Sequence, residues 1–161
     1  MRRRPVSVCV VVVLAAAFAP PVAAARSHSR TRGLLPRETA LVGAINSVRT
    51  LHLLPKLRVD FRLVRAARSH SGDMLRHHYF GHGNFGSRMS RFRVRGTVFA
   101  ENLYWGSGVA SAHAAVAGWL ASPPHRQNLL DPQLRRVGVA TPLGAFGGFS
   151  TATMVTADFA G

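Results

Sequence analysis

Apolar residues recur along this chain with two different periods, and the switch between them divides it. From Pro36, the positions Leu41, Ile45, Val48 and then Leu51 or His52 keep the spacing of one helical face. Proline is favoured at a first helical position, where its missing N–H costs nothing. Pro55 stops the run, and Gly43 is a small cost inside it. Asp60 has the side chain of an N-cap. Behind it Leu63, Val64, Ala67, Ser71, Met74 and Leu75 form a second helical face that ends near His78. His70 lies beside that face and reads as a core or edge histidine. A third helix is expected over roughly 110–121, capped by Ser107 or Ser111, with Ala112, Val116, Trp119 and Leu120 turned inward. Pro123 and Pro124 launch a short helix through Leu130, which Asp131-Pro132 closes.

Residues 81–100 are punctuated by Gly81, Gly83, Gly86 and Gly96, and read as loop with one or two helical turns within 87–95. The period becomes two at the end of the chain. Residues 137–141 and 149–157 read as strands joined by a hairpin loop over 143–148, with Phe149, Thr151, Thr153 and Val155 on one face. There are no internal repeats. Helices come first and antiparallel strands last, which is an α+β pattern.

The first residues follow another logic. Arg2, Arg3 and Arg4 precede an apolar run from Val6 to Ala17, and Ala23-Ala24-Ala25 offers a small-residue cleavage site. This is the layout of a secretory signal peptide over residues 1–25. A membrane anchor is the alternative, but Pro20 and Pro21 interrupt the run before the roughly 20 apolar residues of a spanning helix. Residues 26–35 are polar and basic and read as a flexible leader, which leaves 36–161 as one domain. Cys9, the one cysteine, lies inside the apolar run, too early for a lipoprotein acceptor. The exported chain therefore has no thiolate chemistry and no disulfide, and its core must supply its stability.

Charge narrows the partners. The chain has 161 residues with 21 basic and 6 acidic side chains, and Lys56 is the only lysine. Such a balance draws a protein to anionic polymers, which outside a cell are wall polymers, lipid head groups or free nucleic acid. A solvated, arginine-rich surface with no partner is the plainer alternative. No aromatic–basic pattern of a nucleic-acid module is present, so no specific nucleic acid is expected. The densest basic stretch carries Arg88, Arg91, Arg93 and Arg95, a candidate contact for an anionic partner.

Three side chains from separate segments are candidates for one cleft: His82, Glu101 and His125. Two imidazoles and a carboxylate suit zinc with a fourth position open to water, or proton transfer by Glu101. No H-E-x-x-H pair is present. Gly148-Phe149-Ser150-Thr151-Ala152 is no nucleophile elbow, because it lies within an expected strand with no helix after it. Asp73 and Asp158 show no partner pattern and read as helix surface and strand end.

The motifs LPKLRVD, AARSHSGDM, HYFGH, AENLYWG, GWLASPPHRQNLLDPQLRRVGVA and TADFAG, in this order and spacing, carry a resemblance. Together they resemble bacterial members of the CAP superfamily, the cysteine-rich secretory, antigen 5 and pathogenesis-related proteins, from about Pro36 to Gly161. The resemblance implies an α-β-α sandwich with an antiparallel sheet between helical layers. It also implies a cleft of two histidines and two glutamates, in some members holding a divalent metal. Carried over, the first histidine is His82, the first glutamate Glu101 and the second histidine His125. The second glutamate falls on Ser122, and Ala100 replaces the glycine usual before the first. A divalent metal such as zinc is the one cofactor this leaves open.

The function expected is that of a secreted, monomeric binding module acting on anionic envelope polymers, on lipid or on another extracellular protein. The alternatives are a metal-assisted hydrolase of peptide or wall polymer, and a structural envelope protein.

Overall fold

The computed structural model describes residues 33–161. The proposed signal peptide, Cys9 and most of the basic leader lie outside the described residues. Five helices and five strands follow in the order α1 (Pro36–Leu51), β1 (Arg58–Val59), α2 (Phe61–His77), α3 (Phe85–Arg91), β2 (Phe99–Ser107), α4 (Ala112–Ala121), α5 (Pro123–Leu130), β3 (Arg136–Ala140), β4 (Leu143–Phe146) and β5 (Phe149–Ala160). The strands form one sheet in the order β1-β3-β5-β2, with β4 also paired to β5. Only β1 and β3 run parallel; β2, β3 and β4 are antiparallel to β5.

Local signals in the sequence set most helix ends. Pro36 opens α1, and Glu38 reaches back to accept a hydrogen bond from the Leu35 N–H at 2.8 Å. That carboxylate is 1% exposed and also accepts from Arg68 on α2 at 2.5 and 2.8 Å, which ties two helices together. Asp60 caps α2 by accepting from the Arg62 N–H, and Ser111 caps α4 by accepting from the Ala114 N–H. α2 ends at His78, whose φ of 52° is left-handed.

β5 runs through the middle of the sheet, and its alternation separates two layers. Val155, Ala157 and Phe159 join Leu41, Ile45, Val116, Trp119 and Leu129 from α1, α4 and α5 in the main core. On the opposite face Ala152 and Met154 meet Met74 of α2, Ala160 meets Leu63 and Ala66, and Thr156 shares a 2.7 Å hydrogen bond with Ser71. The result is helices, sheet, helices. At Gly138 on β3, a Cβ would sit 2.1 Å from the Leu63 carbonyl carbon and the Val64 nitrogen of α2. Glycine is there because α2 lies directly on the sheet backbone.

Arg49 performs an unusual structural task. It is fully buried and has no carboxylate partner. Its guanidinium donates to the carbonyls of Pro55, Leu129, Asp131 and Leu134. One side chain thereby satisfies the end of α5 and the turn after α1. Burial holds its pKa below the usual arginine value, with repulsion from Arg135 adding to the effect.

Several elements differ from the sequence expectation. The short strand β1 was not expected, and α3 begins at Phe85, two residues before the helical turns expected within 87–95. The segment around Glu101, to which the sequence reading gave no element, is the long strand β2. The expected hairpin loop contains β4, which pairs with β5 through a register shift near Gly144 and Phe146.

Candidate functional site

Glu101 stands on β2 directly across from Asp158 on β5. Cross-strand partners project from the same face of a sheet, and here that face is the one covered by α2. Both residues are buried. The loop after α2 carries His82 over this point, and its Nδ1 lies 2.7 Å from Glu101 Oε1. From α3 the Arg88 guanidinium donates to Glu101 Oε2 and, at 3.1 Å, to the carbonyl of His82. It reaches within 3.9 Å of Asp158 Oδ1. Both oxygens of Glu101 are thus engaged.

His70 of α2 completes the cluster. It is 3% exposed, with Nε2 at 3.7 Å from Glu101 Oε2, beyond hydrogen-bond distance. Burial lowers its pKa from 6.5, and the opposing pull of Glu101 is the smaller effect. The ring is therefore neutral near pH 7, and this contact is not an ion pair. Asp158 moves the other way. It is 0% exposed, and burial first, then the negative charge of Glu101, raise its pKa well above the usual carboxylate range. Among the described residues, neither Asp158 oxygen has a hydrogen-bond partner. A proton kept on Asp158 relieves both its desolvation and its repulsion from Glu101.

His125 is positioned by α5. Its Nδ1 lies 2.8 Å from the hydroxyl of Ser122, the residue expected to replace a second glutamate. The Asn102 side chain donates to the His125 carbonyl at 2.9 Å. Asn128 bridges onward, donating to Asn102 Oδ1 at 2.9 Å. Burial lowers the His125 pKa, and the nearby charge of His82 lowers it further. His125 makes no direct bond to Glu101. Among the described residues, no group of three histidine, cysteine, aspartate or glutamate side chains is arranged to hold a metal ion.

Of the sequence-derived candidates, then, His82 and Glu101 touch and His125 stands alongside. Arg88 was grouped with Arg91, Arg93 and Arg95 as a surface patch. It is instead 9% exposed and bonded to Glu101. Its place on the inward side of a short helix explains the difference. Arg91, Arg93 and Arg95 are exposed. Arg62 joins them by donating to the Arg93 carbonyl at 3.1 Å, and Arg136 by donating to that of Arg95. Sequence reasoning missed His70 and Asp158 as site residues. The alternation of β5 held a signal for Asp158: it shares a face with Thr156 and Met154, toward α2.

The CAP family model, described as the cysteine-rich secretory protein family, matches residues 42–159. The chain belongs to the CAP family. Among curated relatives, the Bacillus subtilis membrane protein YlbC is 32% identical over 107 residues, covering 63% of this chain and 30% of YlbC. A crystal structure of an extracellular protein containing an SCP domain from Bacillus anthracis superposes with a TM-score of 0.64 at 28% identity, covering 80% of this chain and 44% of that one. An outer surface protein of Borrelia burgdorferi shares the fold with a TM-score of 0.63 at 20% identity, covering 75% of this chain and 89% of that one. This CAP chain thus spans under half the length of its Bacillus relatives. Its α-β-α sandwich is that of the CAP domains. No helix among its described residues is long and apolar enough to cross a membrane.

Proposed function

We propose that this CAP protein is an extracellular binding module that attaches to anionic polymers of the cell envelope through its exposed arginines. One observation carries the reading: each acidic side chain is already paired, hydrogen-bonded within the chain or fully enclosed, while several arginines are exposed. Glu38 pairs with Arg68, Asp60 with Arg136, and Glu101 with Arg88. Asp73 accepts from Tyr79, Asp131 accepts from the Gln133 N–H, and Asp158 is fully enclosed. These are all six acids of the chain, whose net charge is +15. Basic residues far outnumber acidic ones, and Arg62, Arg91, Arg93 and Arg95 are exposed, so the field outside the protein is positive. The extracellular description of the Bacillus anthracis SCP-domain protein supports the location.

The test is retention on an immobilised anionic polymer, such as polyglutamate, against salt. Exposed charges are screened over about 10 Å at 0.1 M salt. Retention should fall steeply with salt and fall further in an Arg91→Ala, Arg93→Ala, Arg95→Ala variant. Retention that ignores both changes would overturn the reading.

A second reading, a divalent metal such as zinc at His82 and His125, draws on one feature. With each Nδ1 occupied, by Glu101 and by Ser122, each Nε2 is the nitrogen left for a ligand. The full donor set does not fit a zinc centre, however. Glu101 is already shared between His82 and Arg88, and a serine stands where a carboxylate would complete the set. Glu101 is better placed to orient His82 than to bind metal, and no hydrolytic step follows from this arrangement.

A further inference from the structure

A cavity of about 360 Å³ opens between α2 and the segment 79–92, and none of His82, Glu101 and His125 lines it. Its size falls at the small end of ligand pockets, which run from roughly 300 to 1,000 Å³. Its walls are mostly polar, and their charged side chains are mainly cationic. Arg76, Arg88 and Arg91 line it, against the single carboxylate of Asp73. That carboxylate is already served, by the Tyr79 hydroxyl at 2.7 Å, Arg76 at 3.3 Å and His77 at 3.0 Å. The Tyr79 bond is the main reason its pKa lies below the usual aspartate value.

Among the described residues, two buried polar atoms of the cavity lining have no hydrogen-bond partner: Arg88 Nε and His70 Nε2. An arginine nitrogen can only donate, and a buried donor left without an acceptor costs about 1–3 kcal/mol. Arg91 lines the same cavity, its guanidinium 5.9 Å from the centre of the Phe92 ring. Guanidinium groups recognise planar or tetrahedral oxyanions through paired N–H donors. The rest of the lining is different in kind. Ser69 and Ser87 offer hydroxyls, Asp73 can accept further hydrogen bonds, and Phe92 offers an apolar face.

We propose that this cavity is a binding site for a small acidic sugar, whose carboxylate or phosphate pairs with the exposed Arg91 and accepts from Arg88 Nε, the one nitrogen of that guanidinium not already donating, while its hydroxyls meet Asp73, Ser69 and Ser87. This goes beyond long-range attraction to a polymer: it is a one-to-one, saturable site with an acidic group as its entry requirement. Arg93 and Arg95 belong to the polymer surface and do not line the cavity.

The test is a titration of isotope-labelled protein by NMR at 0.15 M salt, with glucuronate, glucose 6-phosphate and glucose as probes. At least one acidic sugar should give saturable shifts at the amides of Ser69, Ser87 and Arg91, while glucose gives none. The tighter of the two identifies the acid group as carboxylate or phosphate. Arg91→Ala, at an exposed position that tolerates truncation, should weaken binding at least fivefold. The double variant Arg93→Ala, Arg95→Ala should leave sugar affinity unchanged even where polymer retention falls, so the two proposals fail separately. Absence of saturable shifts with both acidic sugars, equal shifts with glucose, or an unchanged affinity in Arg91→Ala would overturn the assignment.

Discussion

Glu101 and Asp158 face each other across β2 and β5, two buried carboxyl groups side by side with one guanidinium, that of Arg88, between them and solvent. One arginine cannot balance two carboxylates. Asp158, with no hydrogen-bond donor of its own, is the member that keeps its proton.

That proton has a consequence for stability. A carboxyl whose pKa is raised by folding binds more protons folded than unfolded, so its contribution is greatest below the unfolded pKa and is lost as pH rises through the folded one. Asp158 should therefore destabilise the fold progressively above about pH 4. His70 has a lowered pKa and works in the opposite sense: its contribution is present above about 6.5 and is lost as pH falls through its folded value. Urea unfolding of Asp158→Asn and parent from pH 4 to 8 separates the two. The variant should gain stability over the parent as pH rises, and a constant difference would show that Asp158 ionises freely.

Arg88 is expected to be far more than a surface charge. Replacing it by alanine strands Glu101 beside Asp158 without a counter-charge. Removing one member of a buried ion pair costs about 3–5 kcal/mol. Denaturant titration of Arg88→Ala checks this, against less than about 0.5 kcal/mol for the exposed Arg93→Ala.

Arg49 makes a comparable demand with a different chemistry. Arg49→Met keeps much of the side-chain volume but leaves the Leu129, Asp131 and Leu134 carbonyls without their donor. A loss of about 2–4 kcal/mol is expected, since bonds to a charged donor are the stronger kind. Thermal unfolding should show it as a lower Tm, with the sheet-side contacts of α2 unaffected by hydrogen exchange.

Gly138→Ala tests the closeness of α2 to the sheet. A methyl group there has no room, and overpacking of this kind costs about 1–3 kcal/mol or more. The variant should unfold at lower urea than Gly43→Ala, where nothing lies within 4 Å of the added carbon.

Four of the five helix starts were legible because each is written in one or two residues: Pro36, Asp60, Ser111, and Pro123 after Ser122; α3, capped by Asn84, starts ahead of the turns expected within 87–95. β3 and β5 were legible from their period. β2 was not. Glu101, Asn102 and Leu103 are all buried although they point to both faces of the sheet, so polarity along the strand does not track burial. The helices on either side cover both faces, and a polar residue on such a strand looks like loop until its partners are known. The contact of His82 with Glu101 could be anticipated from the family's motifs. Asp158 and His70 acquire their chemistry from strand register and from the seating of α2, which join residues far apart in sequence. Arg88 shows the same gap: nothing in its local sequence separates it from Arg91, and only the inward face of α3 does.

The central claim is that the Glu101 carboxylate is consumed inside the fold, by His82 and Arg88, and is not a free ligand of the cleft. Zinc calorimetry on the parent, on His82→Ala and on Glu101→Gln, each shown to be folded by circular dichroism, tests it most directly. Zinc affinity in Glu101→Gln should fall no further than in His82→Ala, because a carboxylate that acts only by orienting His82 can cost no more than the ligand it orients. A zinc affinity in Glu101→Gln tenfold or more below that of His82→Ala would contradict the claim and make Glu101 a metal ligand in its own right.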